Sequence, residues 1–478
     1  PYTTLFRSGT STFNNDGGTV NVGGTIDVDT YGIGITSGSN ASHTAGSISN
    51  LTFDNLNVGG EGTGTFTHSD GSTLSLTDLR LGIDSGGSGT YTISNGTLNV
   101  SGNISDGVGD STLYNDGGTL NVSGTIDVDT YGIGGSSGSN VSHTYNGATG
   151  ILPNLTFDSL NVGGEGTGEF NHSDGSTLGM VDLRLGVDSG GSGTYTISNG
   201  TLNVSGSIVN GTGSSTLNID GGTVNAGTIG VDNLNIASSA GTNGSHTLGS
   251  GESISAGNEN IGSFGTGTFT QTGGTNTVTT HLNIGLNAGS NGTYNLSGTG
   301  NLTANSVLVG TSGSGLFTQS GGTNDISSGL ILGDQAGGSG TYNLSGTGSS
   351  LSSNFEYVGL DGNGTFTQSG GTHAITNFLH VGRRSTGTFN LSGGSLSTDL
   401  EFVGHEGTGT FNQTGGTHTV TNELSLGGLS GGSGTYTISN GTLNVTGNIV
   451  DGAGASTFNN AGGTLNVGGT IDVDTYGL

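Results

Sequence analysis

A short motif that returns most often every 22 to 25 residues constrains this chain more than any other feature. In its clearest form it reads G-T-aromatic-x-x-x-G-G-T, as in GTFNQTGGT from Gly409. Sixteen copies are plain, and the three longer steps each hide a degenerate copy, near Gly38 (GSNASHT), Gly138 (GSNVSHT) and Gly241 (GTNGSHT), for 19 in all. A larger repeat lies above the small one: LTFDNLNVGGEGTG at Leu51 returns as LTFDSLNVGGEGTG at Leu155, 104 residues later. A unit of this length cannot bury an apolar face alone. It must stack on its neighbours, which restricts the chain to solenoid or propeller architectures.

Within a unit the apolar spacing is two, the period of a strand. From Gly409 onward, Phe411, Val420, Leu424 and Leu426 are expected to face inward, with Thr410 and Asn412 facing out. Gly-rich turns separate three short strands per coil. In every plain copy the slot of Phe411 holds Phe, Tyr or Leu. Phe66, Tyr91, Phe269, Tyr294, Phe317, Tyr342, Phe366, Phe389, Phe411 and Tyr436 should therefore stack along one inner corner. The reading is an all-β fold: a single right-handed parallel β-helix (β-solenoid) of about 19 coils of 22 to 30 residues, over residues 9–478. Strands stacked about 4.8 Å apart would make such an array a rod of roughly 90 Å.

Composition agrees with a narrow core. Apolar residues are only 28%, too few for a wide globular interior, while 104 Gly and 2 Pro in regular spacing exclude both collagen and a disordered tract. Cys and Trp are absent, so neither disulfides nor thiolate metal sites are available. The net charge of -29, with all five basic residues Arg, argues against nucleic acid and anionic lipid as partners. No apolar run approaches the roughly 20 residues of a membrane helix. The segment Pro1 to Ser8 (PYTTLFRS) resembles a translated sequencing adapter and is taken as an artefact. No Met opens the chain, and it stops inside an IDVDTYGL stretch that elsewhere continues as IDVDTYGIG, so truncation is expected at both ends.

The run GTGTFTQTGGTNTVTTHLNIGLNAGSNGTYNLSGTG from Gly265, with GTFTQSGGT at Gly364 and GTYTISNGTLNV at Gly89 and Gly434, resembles the passenger repeats of autotransporter-type bacterial surface proteins. The resemblance covers nearly the whole chain. It implies a secreted or cell-surface, outer-membrane-attached β-helix, with an outer-membrane barrel expected downstream. Passengers of this kind range from adhesins to inert stalks, so host or matrix glycans and proteins become the expected partners. The reading is of a non-catalytic stalk or passenger without a cofactor.

Chemistry-bearing residues also have structural readings. His68 and His172 occupy a slot that holds Gln271, Gln319, Gln368 and Gln413 elsewhere, and His373 and His418 stand where Asn276 and Asn324 do. Stand-ins that bind no metal argue against a transition-metal site. His43, His143 and His246 of the SHT triplets are expected in turns. The I-D-V-D-T pairs (Asp27 with Asp29, Asp127 with Asp129, Asp472 with Asp474) have spacing that calcium binding or glycoside hydrolysis could use. They recur with the duplicated block, however, and no G-G-x-G-x-D calcium repeat stands in register, so solvated surface is the expectation. A polysaccharide lyase or hydrolase is the alternative from another class. Outward T-x-T pairs such as Thr268 with Thr270 raise an ice-binding solenoid as a further alternative, although Asn interrupts them. Finally, aligning coils on V-G places Asp361, Arg384 and Glu406 at one position in three consecutive coils. Arg384 is expected between the two carboxylates, with Arg383 beside His405.

Overall fold

The computed structural model describes residues 10–18, 20, 26–45, 51–145 and 155–478; Pro1 to Ser8 lie outside the described residues. The fold is all-β with parallel strands, a β-solenoid of about 18 to 19 coils. The chain divides into two compact units, Pro1–Leu217 with Gly222–Val231, and Asn218–Gly221 with Asp232–Leu478.

The second unit shows the coil most plainly. Its first strands, from Asn243–Leu248 and Thr266–Gln271 through to Thr475–Gly477, form an 11-stranded parallel sheet. Register is kept residue by residue: Phe269 lies opposite Tyr294, Tyr294 opposite Phe317, and so on along the sheet. The second and third strands of a coil run together in most cases, as in Thr275–Ile284, with a register shift between Val278 and His281. Elsewhere they remain separate, as in Thr323–Ile326 and Gly329–Leu332. Period-two patterning sets the inner face, since Phe411, Val420, Leu424 and Leu426 are all fully buried. Most third strands are followed by a glycine such as Gly404 (φ 71°), where an added Cβ would lie 2.0 Å from the Ser433 carbonyl oxygen; after Ile236 the place is taken by Ala237 (φ 58°). At Gly404 a residue without Cβ is needed for the next coil to approach so closely.

The aromatic slot is a continuous stack in this unit. From Phe269 to Tyr436 successive ring centroids lie 4.5 to 4.9 Å apart, with interplanar angles from 3° to 20°. In the first unit the stack is shorter, because Leu113 takes the slot after Phe66 and Tyr91, whose rings lie 5.1 Å apart. The SHT histidines correct the expectation of turns. His43, His143 and His246 sit within strands, opposite Phe66, Phe170 and Phe269, so they occupy the aromatic slot itself. Burial of an imidazole there is tolerated because a tyrosine hydroxyl meets Nδ1 of His43 (Tyr31, 3.0 Å) and of His143 (Tyr131, 2.9 Å).

The long sequence steps resolve into a short coil followed by a restarted row. In the first unit Phe13 lies opposite Tyr31 and Leu113 opposite Tyr131, each 18 residues on. The strand Ile126–Ile133 serves two rows. Its first half continues the third-strand row from Ile104, and its second half covers the aromatic row at Leu113. The strand Asn140–Tyr145 then opens a new aromatic row. Asp129 holds this short coil closed, accepting from the Ser111 backbone N–H (2.7 Å) and hydroxyl (3.0 Å). Asp29 does the same at Ser11, and Asp474 accepts from Ser456 N–H at 3.1 Å. The second Asp of each I-D-V-D-T is thus a clasp between coils, which corrects the reading of it as merely solvated.

Candidate functional site

The chemically capable side chains form three polar systems: a buried chain of side chains in the second unit, the arginine pair on its outer turn, and the histidines and aspartates dispersed over both units.

The buried chain follows from a second periodicity. Coils alternate between a polar type, with Gln two residues after the aromatic and Asn or His in the second strand, and an apolar type with Leu or Ile at both places. Gln271 with Asn276, Gln319 with Asn324, Gln368 with His373 and Gln413 with His418 make the polar coils, and all eight are buried. The tyrosine of the following coil completes the arrangement. Tyr294, Tyr342 and Tyr436 donate to Oε1 of Gln271, Gln319 and Gln413 at 2.6 to 2.8 Å. The same hydroxyls meet Asn276 Nδ2, Asn324 Nδ2 and His418 Nδ1 at 2.9 to 3.1 Å. Burial pushes all three phenols upward, so the hydroxyls stay protonated and able to donate.

One coil breaks the pattern. Phe389 stands where the other polar coils are followed by Tyr, and both Gln368 Oε1 and His373 Nδ1 are left without a partner. Phe389→Tyr should therefore stabilise the second unit, by about 1 kcal/mol, because its hydroxyl supplies a donor to the buried Gln368 Oε1, as that of Tyr436 does to Gln413. Urea unfolding of the variant beside the parent checks this. A lower midpoint would show that the space above His373 differs from that above His418.

Three glutamates that the sequence reading passed over enter the same core. Glu259, Glu356 and Glu401 are fully buried in the third-strand slot, opposite Leu282, Leu379 and Leu424. Glu356 accepts from Ser353 Oγ at 2.9 Å and meets His373 Nε2 at 2.8 Å. Glu401 Oε2 lies 3.0 Å from His418 Nε2, but neither atom makes a hydrogen bond. Glu259 accepts from Asn276 Nδ2 at 2.8 Å, and burial pushes its carboxyl up to about 7. None of these groups reaches solvent, so the chain Glu259–Asn276–Tyr294–Gln271 and its incomplete counterparts at His373 and His418 have the makings of a structural network rather than of a substrate site.

On the outer turn, Arg384 donates from Nε and Nη2 to both oxygens of Asp361, each at 2.6 Å. The bidentate contact holds the Asp361 carboxyl below its ordinary value. The expectation that Arg384 would lie between Asp361 and Glu406 needs correction. Its fork is occupied by Asp361 in the preceding coil, and Glu406 instead pairs with Arg383, whose Nη1 also donates to His405 Nδ1. The two arginines thus tie one coil to its neighbours on either side. All four charged groups are partly exposed, so Arg384→Ala should lower stability by no more than about 1 kcal/mol and leave the fold intact, as circular dichroism and a thermal melt would show.

The remaining candidates are also engaged with neighbouring coils. His68 meets Tyr91 OH at 3.2 Å and Ser72 at 3.1 Å, and His172 meets Tyr195 OH and Ser176 Oγ, both at 3.1 Å. Among the described residues no group of three or more His, Asp and Glu side chains is placed to hold a metal ion. The outward T-x-T positions are half-buried rows joined by amide ladders such as Asn412 Nδ2 to Asn390 Oδ1 at 3.0 Å. The fold and these contacts define the chain as a repetitive parallel β-solenoid. Comparison with family profiles, curated proteins and solved structures gives no match.

Proposed function

We propose that this chain is a non-catalytic passenger or stalk region of a secreted bacterial surface protein, built to present an extended β-solenoid outside the cell. The observation that carries the reading is where the chemically capable side chains go. The Asp129 clasp, the Arg384–Asp361 fork and the Glu259–Asn276–Tyr294–Gln271 chain all bind one coil to the next. Groups occupied in this way stabilise an array and are poorly placed to turn over a substrate. The strong negative charge keeps such a surface soluble and away from anionic lipid and nucleic acid. No helix among the described residues is long and apolar enough to cross a membrane; a downstream outer-membrane barrel is the attachment proposed for the parent protein.

The experiment is surface labelling of intact cells that make the parent protein, using an antibody raised against this chain, together with assays on pectin and alginate. Labelling without permeabilisation, and no release of unsaturated or reducing ends, is the expected outcome. Signal only after permeabilisation would sink the surface reading. Polysaccharide cleavage that disappears in Arg384→Ala would replace it with the lyase or hydrolase alternative.

A further inference from the structure

The two copies of the large repeat in the first unit differ at one place in a way that opens space. In both, the outward row crosses a glycine of the I-D-V-D-T-Y-G strand, Gly32 in the first copy and Gly132 in the second. In the first copy that position is covered. A Cβ added to Gly32 would meet Asn14 Oδ1 at 2.4 Å and Ile35 Cγ1 at 2.6 Å. In the second copy Ile35 has become Gly135 and Asn14 has become Tyr114. The aliphatic cover is gone, and an aromatic ring leans over bare backbone, with Tyr114 Cδ1 only 2.2 Å from where a Gly132 Cβ would be. The result is a cleft of about 350 Å³, bordered by Tyr114, Asp116, Ser136, Asn161 and Asp188.

We infer that this cleft is a binding site for neutral saccharides, taking one or two pyranose rings against Tyr114. The volume lies at the small end of the range for ligand pockets, about 300 to 1,000 Å³. A tyrosine ring offers an apolar face to the C–H side of a sugar, as amphipathic aromatics do wherever a ligand is half wet. The polar border supplies mostly acceptors, which suits a ligand rich in hydroxyl donors. Asn161 lines the cleft, and the exposed Asp188 carboxylate supplies an open acceptor. Asp116 is already committed, accepting from Gly135 N–H at 2.6 Å and from Ser136 Oγ, so it shapes the wall. A bare metal cation is disfavoured, since calcium takes six or more oxygens and only one carboxylate remains open. Asp116 and Asp188 border the cleft and no Arg or Lys does, which marks the site as hostile to acidic sugars.

The inference adds a ligand class to the surface reading above and rests on it only for the supply of glycans. Titration calorimetry of the full chain with maltotriose, cellotriose and triacetylchitotriose, and with trigalacturonate as the acidic control, provides the test. At least one neutral trisaccharide should bind at millimolar concentration or below, and trigalacturonate should not. The double variant Tyr114→Asn with Gly135→Ile, which restores the residues of the first copy, should weaken binding at least tenfold with an unchanged circular dichroism spectrum; Tyr114→Ala provides a second route to the same loss. Absence of binding to all three neutral sugars, or binding that survives both variants, overturns the inference, and preferential binding of trigalacturonate overturns its neutral character. A chain that labels on intact cells yet ignores the sugars sinks the cleft alone, whereas a sugar-binding chain found only inside cells upholds the cleft and sinks the surface reading.

Discussion

Phe366→Ala should destabilise its surroundings by about 3 to 5 kcal/mol. The ring is fully buried and stacked on both sides, 4.9 Å from Tyr342 and 4.6 Å from Phe389, with the His373 ring a further 4.8 Å neighbour. Coils above and below are fixed by their own hydrogen-bonded register, so they cannot close on the cavity as a loosely packed core would. Hydrogen exchange is the appropriate measurement, because a repeat array opens locally rather than as a whole. Amides of the strands Ser339–Leu344, Asn363–Gln368 and Thr386–Leu391 should lose protection together. Thr365→Ala, on the outward side of the same strand, should change stability by less than about 0.5 kcal/mol. Equal losses for the two would contradict the stacked inner corner.

The second large effect depends on pH. Glu259 is fully buried, and its carboxyl rises from an ordinary 4.5 to about 7 in the fold, burial outweighing the hydrogen bond from Asn276. A carboxyl raised by folding favours the protonated folded state. Its contribution is fully present below about pH 4.5 and is lost as the pH climbs through 7. The full swing corresponds to about 3 kcal/mol. Glu259→Gln keeps an oxygen for the Asn276 amide and removes the charge. The variant should match the parent near pH 4 and exceed it by up to about 3 kcal/mol at pH 8, read from urea unfolding at both values. The same pH dependence in parent and variant would mean that another group governs it.

Most of the architecture could be read from the sequence because period-two patterning and the 22-to-25-residue repeat both act locally. The inward placing of Phe411, Val420, Leu424 and Leu426 followed from alternation alone. The misplaced residues were those whose role is set by a neighbouring coil. His43, His143 and His246 have turn-like neighbours in sequence, but register sets them opposite aromatic residues. Asp129 appears solvated until the coil below brings Ser111 to it. Glu259, Glu356 and Glu401 could have been recognised. Aligned on the terminal I-G or V-G, NENIG, FEYVG and LEFVG put Glu where HLNIG and FLHVG put Leu. The choice of Asp361 over Glu406 by Arg384 had no such signal, since both carboxylates are one coil away and side-chain geometry alone decides. The cleft at Tyr114 was equally hidden, because it depends on a side chain that is missing at Gly135.

The alternation of polar and apolar coils also bears on how such an array can change length. Excising one coil from the second unit would set two coils of the same type against each other, leaving a buried glutamine with no tyrosine hydroxyl above it, or a hydroxyl with no acceptor below. Excising two, as between Gly267 and Gly315, rejoins like edges and leaves each hydroxyl facing its glutamine. The heritable quantum of this half of the molecule is therefore a pair of coils. Slippage during replication that respects this parity produces a shorter or longer shaft with an unblemished interior, and slippage by an odd number leaves a flaw at the scar.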